Sequence, residues 1–560
     1  MQTQAPAFGT WLDEFFAAYY RRRPVNATFI GLHQYDDLLP DFSDEGAGDT
    51  SAEMERLLTE LRTLPPETLS QAEAIDRKLA GGFLQIQLWE YSSQHFHLGN
   101  PSLYTGEAIF GILPLFLTNF APLAERVESA VARMEAIPQL LSQGKTNVRH
   151  APLAWTERAI RECTGALDFL QGGVEQLIHD EGIDGARMLE AAAKATSAFV
   201  EFQEYLETEL IARTTDSYGC GEEAFDLMMR QGHFVDMRAE EIARYGEEQM
   251  AEAQAYLDEH AADFGAATWR EALAQLSDLH PTIDNYYDSY TKVWDACRTT
   301  AESHALVTWP DFPIRYVPRP AWSREAAPYL YFLFYRSPAA YNRPPVHDYL
   351  VAPIDLSLPA EEQEKLLRAN NDSAIKLNHV VHHGSIGHHV QNWYAFRAAS
   401  RIGRVAAVDC ASRIAMFCGG TMAEGWAVYA TELMGEVGFL TPLELYAEHQ
   451  GRRRMSARAI VDVRLHQGRF TLDEAATFYE QRAGMSPGAA RGEAVKNSMF
   501  PGAAMMYLIG TDRIKTLRRE MARRWGRDFS LRRFHDQFLS YGSIPVALIA
   551  EEMEGEDNDA

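Results

Sequence analysis

The chain has 560 residues, more than one hydrophobic core normally accommodates, so we expect two or three packed regions. Its 46% hydrophobic and 23% charged residues are typical of a globular protein and exclude a fibrous or largely disordered chain. The formal net charge of -27 disfavours nucleic acid and anionic lipid as partners.

The N-terminal segment lacks a signal-peptide pattern, and no run of about 18 apolar residues is present. The five cysteines are scattered and form no Cys-x-x-Cys pair, which favours free thiols. These features predict a cytoplasmic protein without a membrane segment.

Amphipathic helices dominate the first 304 residues. Trp11, Phe15, Phe16, Tyr19 and Tyr20 recur at helical spacing. The same pattern predicts helices over residues 51–64, 70–91, 123–141, 153–177, 185–212 and 239–262. Long helices, short links and no internal repeat indicate a helical assembly and not a solenoid.

The segment 305–355 is rich in proline and contains β-prone runs at 314–317, 329–335 and 349–351. It could be a hinge or the wall of a cleft. Helical patterns resume at 359 and continue to 553. The predicted fold is mainly α, a multi-helix assembly with a small β-sheet near a central cleft. Its predicted parts are 1–304, 305–355 and 356–560, the last containing the candidate site.

A dense histidine cluster lies in the C-terminal half: five of the eighteen histidines fall between 379 and 389. Neutral imidazole is the commonest metal ligand in proteins, so the cluster predicts a metal site. The alternative is a hydrogen-bonded histidine patch at a helix junction.

Spacing alone does not select the ligands. On a regular helix, His382 and His389 share a face but lie about 10 Å apart along the axis. His379 and His383 are one turn apart and could also chelate. His382 and His388 point in different directions unless the helix is broken, and the glycines at 384 and 387 could break it.

Glu424 is the candidate ligand from another segment. It lies in a predicted helix, 423–430, among apolar residues. A carboxylate there is costly to bury unless it is paired or bound to a metal. The alternative is a partly exposed or arginine-paired side chain.

Five segments in order carry a family resemblance: 24–36, 382–391, 424–429, 462–466 and 501–510. On these motifs the chain resembles the bacterial family known as domain of unknown function 885, which is similar to helical zinc metallopeptidases of the thimet-oligopeptidase kind. The resemblance implies that His382, His388 and Glu424 bind zinc, with His389 as the reserve ligand. Three protein ligands would leave a position open for water.

The chain departs from the family motif at two positions. His383 replaces the glutamate that would act as general base, and Ile386 replaces a proline. A histidine can be a base near neutral pH or a further metal ligand. We therefore expect a zinc-dependent hydrolase of peptides or small amides, with iron or manganese as other possible metals. The alternative is a metal protein that is not a peptidase, or an inactive family member that binds a ligand or partner.

Downstream polar residues are candidates for the rest of the site. Arg458, Asp462 and His466 share one helix face. Arg458 or Arg464 could bind a substrate carboxylate, and His466 could donate to an oxyanion. A surface salt-bridge stripe is the alternative. The Tyr507 phenol could reach a tetrahedral intermediate, or the ring could simply belong to the core.

Overall fold

A computed structural model describes residues 8–324, 337–408 and 412–556. The chain divides into two compact units. The first contains the described residues up to Cys220 and parts of the segment 319–344. The second contains residues from Gly221 to Pro318 and most of the chain from Pro345 onward, including the histidine cluster.

The first unit is helical. Its α-helices are α1 (Phe8–Arg22), α2 (Pro24–Ile30), α3 (Asp44–Thr63), α4 (Gln71–Ser92), α5 (Pro101–Phe110), α6 (Pro114–Leu117), α7 (Leu123–Asn147), α8 (Leu153–Asp168), α9 (Val174–Glu181) and α10 (Ala186–Tyr205). Two-residue strands β1 (Ala151–Pro152) and β2 (Thr214–Thr215) pair in parallel. Short π-helical turns occupy Phe169–Gly173 and Leu206–Leu210, and 3₁₀ turns occupy Pro66–Thr68, Ile211–Arg213 and Ala321–Ser323.

The predicted aromatic face of α1 is the face that packs. Trp11 and Phe15 are almost completely buried, and the Trp11 indole donates to the Leu57 carbonyl at 3.1 Å. Pro24 not only follows α1 but begins α2, where its missing N–H costs nothing because the first helical N–H groups have no partner in the helix.

The second unit is also helical. Its α-helices are α11 (Glu222–Leu227), α12 (Ala239–His260), α13 (Trp269–Ala274), α14 (Tyr286–Ser303), α15 (Ala360–Ala369), α16 (Asp372–Ala374), α17 (His388–Ala395), α18 (Arg401–Val405), α19 (Gly420–Glu436), α20 (Pro442–His466), α21 (Leu472–Ala483), α22 (Pro487–Met499), α23 (Met506–Trp525), α24 (Leu531–Ser540) and α25 (Val546–Glu556). π-Helices occupy Met228–His233, Ile375–Gly384 and Ala415–Gly419, and 3₁₀ turns occupy Ala261–Phe264, Gln275–Asp278, Ile283–Asn285 and Gly526–Asp528.

Two strands of this unit match the predicted β-prone runs. β3 (Ile314–Pro318) pairs in parallel with β4 (His347–Val351), with Tyr316 opposite Tyr349. The predicted run at 329–335 lies outside the described residues. The mainly α prediction is therefore confirmed, with strands that form two separate pairs in the described chain. No helix in the described ranges is both long enough and apolar enough to cross a membrane.

Helices α19, α20 and α23 form the core that positions the site. Helix α23 packs on both α19 and α20. Gly425 of α19 meets Gly510 of α23, where a Cβ on Gly510 would lie 2.1 Å from the Thr421 carbonyl oxygen. Only glycine allows the two backbones to approach so closely. The three helices carry the candidate residues Glu424, Arg458 and Tyr507.

Candidate metal centre

A break between two helical segments brings the histidines together. The π-helix Ile375–Gly384 ends after His382 and His383, and α17 begins at His388. A Cβ on Gly387 would lie 1.9 Å from the His382 carbonyl oxygen, so the sharp turn requires glycine. The predicted break is confirmed.

Buried hydrogen bonds hold the connecting loop 385–387 in place. The Trp426 indole, on the same helix as Glu424, donates to the carbonyls of Ile386 at 2.9 Å and Gly387 at 3.2 Å. The Ser385 hydroxyl donates to the Val380 carbonyl at 2.8 Å. Trp426 thereby links the loop between the histidines to the helix that carries the carboxylate.

Two imidazoles face one carboxylate oxygen. Nε2 of His382 lies 3.6 Å from Oε2 of Glu424, and Nε2 of His388 lies 3.7 Å from the same oxygen. These separations are too long for hydrogen bonds. A tetrahedral zinc site with ligand bonds of about 2.0–2.1 Å separates its donor atoms by about 3.3 Å. Both distances to the Glu424 oxygen are therefore close to the ligand spacing of such a site.

His383 extends the cluster. Ligand nitrogens of His382, His383 and His388 all lie within 4.8 Å of one another. Nδ1 of His383 lies 2.7 Å from the Asn378 carbonyl, which can only accept, so Nδ1 carries the proton of the neutral ring and Nε2 keeps its lone pair.

A similar contact orients His388. Its Nδ1 lies 3.3 Å from Oε1 of Gln391. The amide nitrogen of Gln391 donates to the Ser543 hydroxyl, so Oε1 faces the imidazole as an acceptor. Partners of this kind set the tautomer and orientation of metal-binding histidines.

The electrostatics favour neutral imidazoles beside an ionised carboxylate. Burial lowers the pKa of His382, against the opposing effect of Glu424, and burial lowers the pKa of His383 well below its ordinary value. Burial acts to raise the pKa of Glu424, but His382 and His388 outweigh it and hold that pKa well below its usual range. These are the protonation states that metal binding needs.

Two other histidines of the dense segment make different contacts. Nε2 of His389, the reserve ligand, lies 2.7 Å from the Phe312 carbonyl, and its ring stacks on Phe312. Nδ1 of His379 lies 2.6 Å from the Tyr349 hydroxyl. The structure thus groups His382, His383 and His388, and directs His389 and His379 to other partners.

Arg458 and Tyr507 lie together beside the cluster. The Arg458 guanidinium carbon is 4.7 Å from the centre of the Tyr507 ring, and its Nε donates to Glu493 at 2.8 Å. The positive charge of Arg458 also contributes to the lowered pKa of His382, after burial. The sequence prediction missed Glu493, since nothing local in the sequence pairs residues 35 positions apart on different helices.

The other predicted polar residues have structural contacts. Nε2 of the buried His466 lies 3.0 Å from the Asn497 carbonyl, and Arg464 pairs with Glu240 at 2.8 Å. Asp462 accepts from the backbone N–H groups of Gly502, Ala504 and Met505. Asp462 therefore fixes the loop that leads into α23 and Tyr507.

Comparison with protein families gives one result that covers almost the whole chain. Residues 24–553 match the model described as "Bacterial protein of unknown function (DUF885)". The chain belongs to this family. A comparison with curated proteins found no significant match.

Two solved structures share the fold of this DUF885 protein. A candidate lipoprotein of unknown function from Shewanella oneidensis has a TM-score of 0.77 at 23% identity, covering 98% of this chain and 100% of its own. A candidate lipoprotein from Colwellia psychrerythraea has a TM-score of 0.80 at 16% identity, with both chains covered completely. Lipoproteins are anchored to membranes, so these relatives contradict the predicted cytoplasmic location, which is wrong.

Proposed function

We propose that this protein is a metal-dependent hydrolase of peptides or small amides, with zinc as the preferred metal. The observation that carries the proposal is the approach of His382 and His388 to the same oxygen of Glu424, at 3.6 and 3.7 Å. Two imidazoles and one carboxylate are a common ligand set of catalytic zinc, and they leave a coordination position open.

Hydrolysis adds water across an amide: the carbonyl carbon gains a hydroxyl, the C–N bond breaks and the nitrogen gains a proton. His382, His388 and Glu424 would hold the metal. A bound zinc ion supplies Lewis-acid polarisation of the carbonyl and makes water more acidic. The partly exposed cluster supports access for water, since the His382 and Glu424 side chains are 16% and 15% exposed.

His383 is the residue best placed to move a proton in this arrangement. Its Nδ1 donates to the Asn378 carbonyl, so Nε2 is the unprotonated ring nitrogen that can accept a proton from water. The protonated ring could then return that proton to the leaving nitrogen.

One observation favours a second function, metal binding without hydrolysis. The three clustered imidazoles together with Glu424 make four potential ligands. If all four bind, a tetrahedral ion has no open position, which is the pattern of structural zinc sites. Replacement of His383 separates the two functions. His383→Gln should abolish hydrolysis but retain the metal if His383 moves protons, and should weaken metal binding if it is a ligand.

The proposal is tested by metal analysis of protein purified without added metal, followed by zinc titration of the apoprotein. We expect one equivalent in the wild type and a large loss in His382→Ala and Glu424→Ala. His389→Gln is the matched control, because it changes the same segment outside the cluster and should retain the metal. Circular dichroism verifies that each variant folds. Unchanged metal content in both ligand variants would refute the site, and failure of the zinc-loaded wild type to cleave any peptide library would refute the hydrolase.

A further inference from the structure

A group of basic side chains surrounds the single carboxylate of Glu493. Arg454 and Arg458 are one turn apart on α20, so they share a face of that helix. Glu493 and Lys496 lie on α22, three residues apart. Arg458 pairs directly with Glu493 at 2.8 Å. Arg458, Lys496 and Arg454 together lower the pKa of Glu493 to about 2, although burial opposes them.

The charges of this group do not balance. Three cations face one anion, and Arg458 already uses that anion as its partner. Within the described ranges, Arg454 makes no ion pair; its electrostatic neighbours are Arg458 and Glu493. A positive excess therefore remains at Arg454, in a chain whose net charge is -27.

The Arg454 side chain is open to water, and partial burial of its guanidinium by surrounding protein lowers its pKa. The neighbouring Arg458 and Glu493 side chains are mostly shielded, at 16% and 13% exposure. Arg454 is therefore the most exposed cation of this group.

The basic group adjoins the candidate metal centre. Arg458 packs on the Tyr507 ring at 4.7 Å. The Thr511 hydroxyl lies 2.8 Å from the Tyr507 carbonyl and 3.2 Å from the carbonyl of Gly425, the chain neighbour of Glu424. One helical turn, about 5.4 Å along the axis, separates Arg458 from Arg454. An anion held by Arg454 would therefore lie within the length of a short peptide from the histidines.

We infer that Arg454 is a specificity-determining residue that binds a carboxylate of the substrate, so that the hydrolase acts on peptides or N-acyl amino acids with a free C-terminal carboxylate. This inference rests on the proposed hydrolase function. A guanidinium matches a carboxylate with two parallel hydrogen bonds, and partial shielding from water strengthens the contact. Arg458 is already paired with Glu493 and need not bind the substrate itself.

The test uses a randomised tetrapeptide library prepared as free acids and as C-terminal amides. Cleavage by the zinc-loaded protein is followed by mass spectrometry, and retention of each form on immobilised protein is measured separately. We expect the wild type to prefer free acids by at least tenfold. Arg454→Gln should raise KM for free acids about tenfold to a hundredfold without changing that for amides, and Arg454→Lys should recover part of the preference.

Arg491→Gln is the matched control. Arg491 lies on the same helix as Glu493 and pairs with exposed Asp473, so this variant should behave like the wild type. Equal cleavage of acids and amides, or an unchanged preference in Arg454→Gln, would overturn the inference while leaving the hydrolase intact. Absence of cleavage of either form would refute the hydrolase. If neither form is cleaved, the retention measurement still tests the carboxylate site. Equal retention of acids and amides by the wild type overturns that site, and loss of a free-acid preference in Arg454→Gln supports it.

Discussion

Removal of the Glu493 charge should destabilise the protein in a pH-dependent way. In Glu493→Gln, the largely buried Arg458 loses its ionised partner at 2.8 Å. The pKa of Glu493 is lowered from 4.5 to about 2, because Arg458, Lys496 and Arg454 together outweigh burial. Each tenfold change in acidity corresponds to about 1.4 kcal/mol, so the ionised carboxylate contributes up to about 3 kcal/mol. Since Glu493 is 13% exposed, screening should reduce this to about 2 kcal/mol.

The sign of the pH effect follows from the lowered pKa. The carboxylate contribution is fully present above pH 4.5, the value in the unfolded chain, and is lost as the pH falls toward 2. Urea unfolding at pH 7 should therefore show Glu493→Gln less stable than the wild type, and the difference should fall to about a quarter of that value near pH 2.5, where part of the native carboxylate is still ionised. Asp473→Asn is the control, since its 87% exposed side chain should contribute little. An equal deficit at both pH values, or none at pH 7, would refute this reasoning.

Three further substitutions test features of the second unit. Gly387→Ala should reduce folding stability by more than about 2 kcal/mol and abolish metal binding, because its Cβ would overlap the His382 carbonyl. Gly492→Ala is the control: position 492 faces open space, so this variant should change neither property. Urea unfolding measures the stability and zinc titration measures the metal binding. Trp426→Phe removes the indole donor to the 385–387 loop. We expect the free energy of unfolding to fall by about 1–3 kcal/mol and zinc binding to weaken roughly tenfold to a hundredfold. Zinc affinity equal to that of the wild type would contradict the role of the loop in holding the histidines. Burial, with the nearby acidic side chains of α19 and α20, raises the pKa of Glu448 to about 8. Ionisation of Glu448 therefore destabilises the fold as the pH rises from 4.5 through 8. In urea unfolding, Glu448→Gln should have the same midpoint as the wild type at pH 4 and a higher midpoint at pH 9.

Local sequence patterns predicted most of the helices but not their irregularities. The pattern over 153–177 predicted one helix, whereas the chain forms α8, a π-helical turn and α9. Apolar periodicity indicates a helix but does not reveal one extra residue in a turn. The strands at 314–317 and 349–351 were recognisable because their β-prone residues lie between prolines, but their parallel pairing depends on a non-local contact.

The candidate site was predictable where the chemistry lies within one segment. Histidine density and two glycines indicated a cluster at a broken helix, and the structure brings His382 and His388 to Glu424. The roles of Trp426 and Glu493 were not predictable, since each depends on how separate helices pack. His389 is equally close in sequence, yet the direction of α17 takes its ring to the Phe312 carbonyl.

The π-helix before the break makes the cluster sensitive to chain length as well as to side-chain identity. Most π-helical segments are single turns, whereas this one spans ten residues, Ile375–Gly384. Each residue of a regular helix advances the next side chain by about 100°. Deletion of one residue within this segment would rotate His382 and His383 away from Glu424 without altering any of the three side chains. Relatives that retain every motif residue but differ in length here would have lost the alignment of their donor atoms.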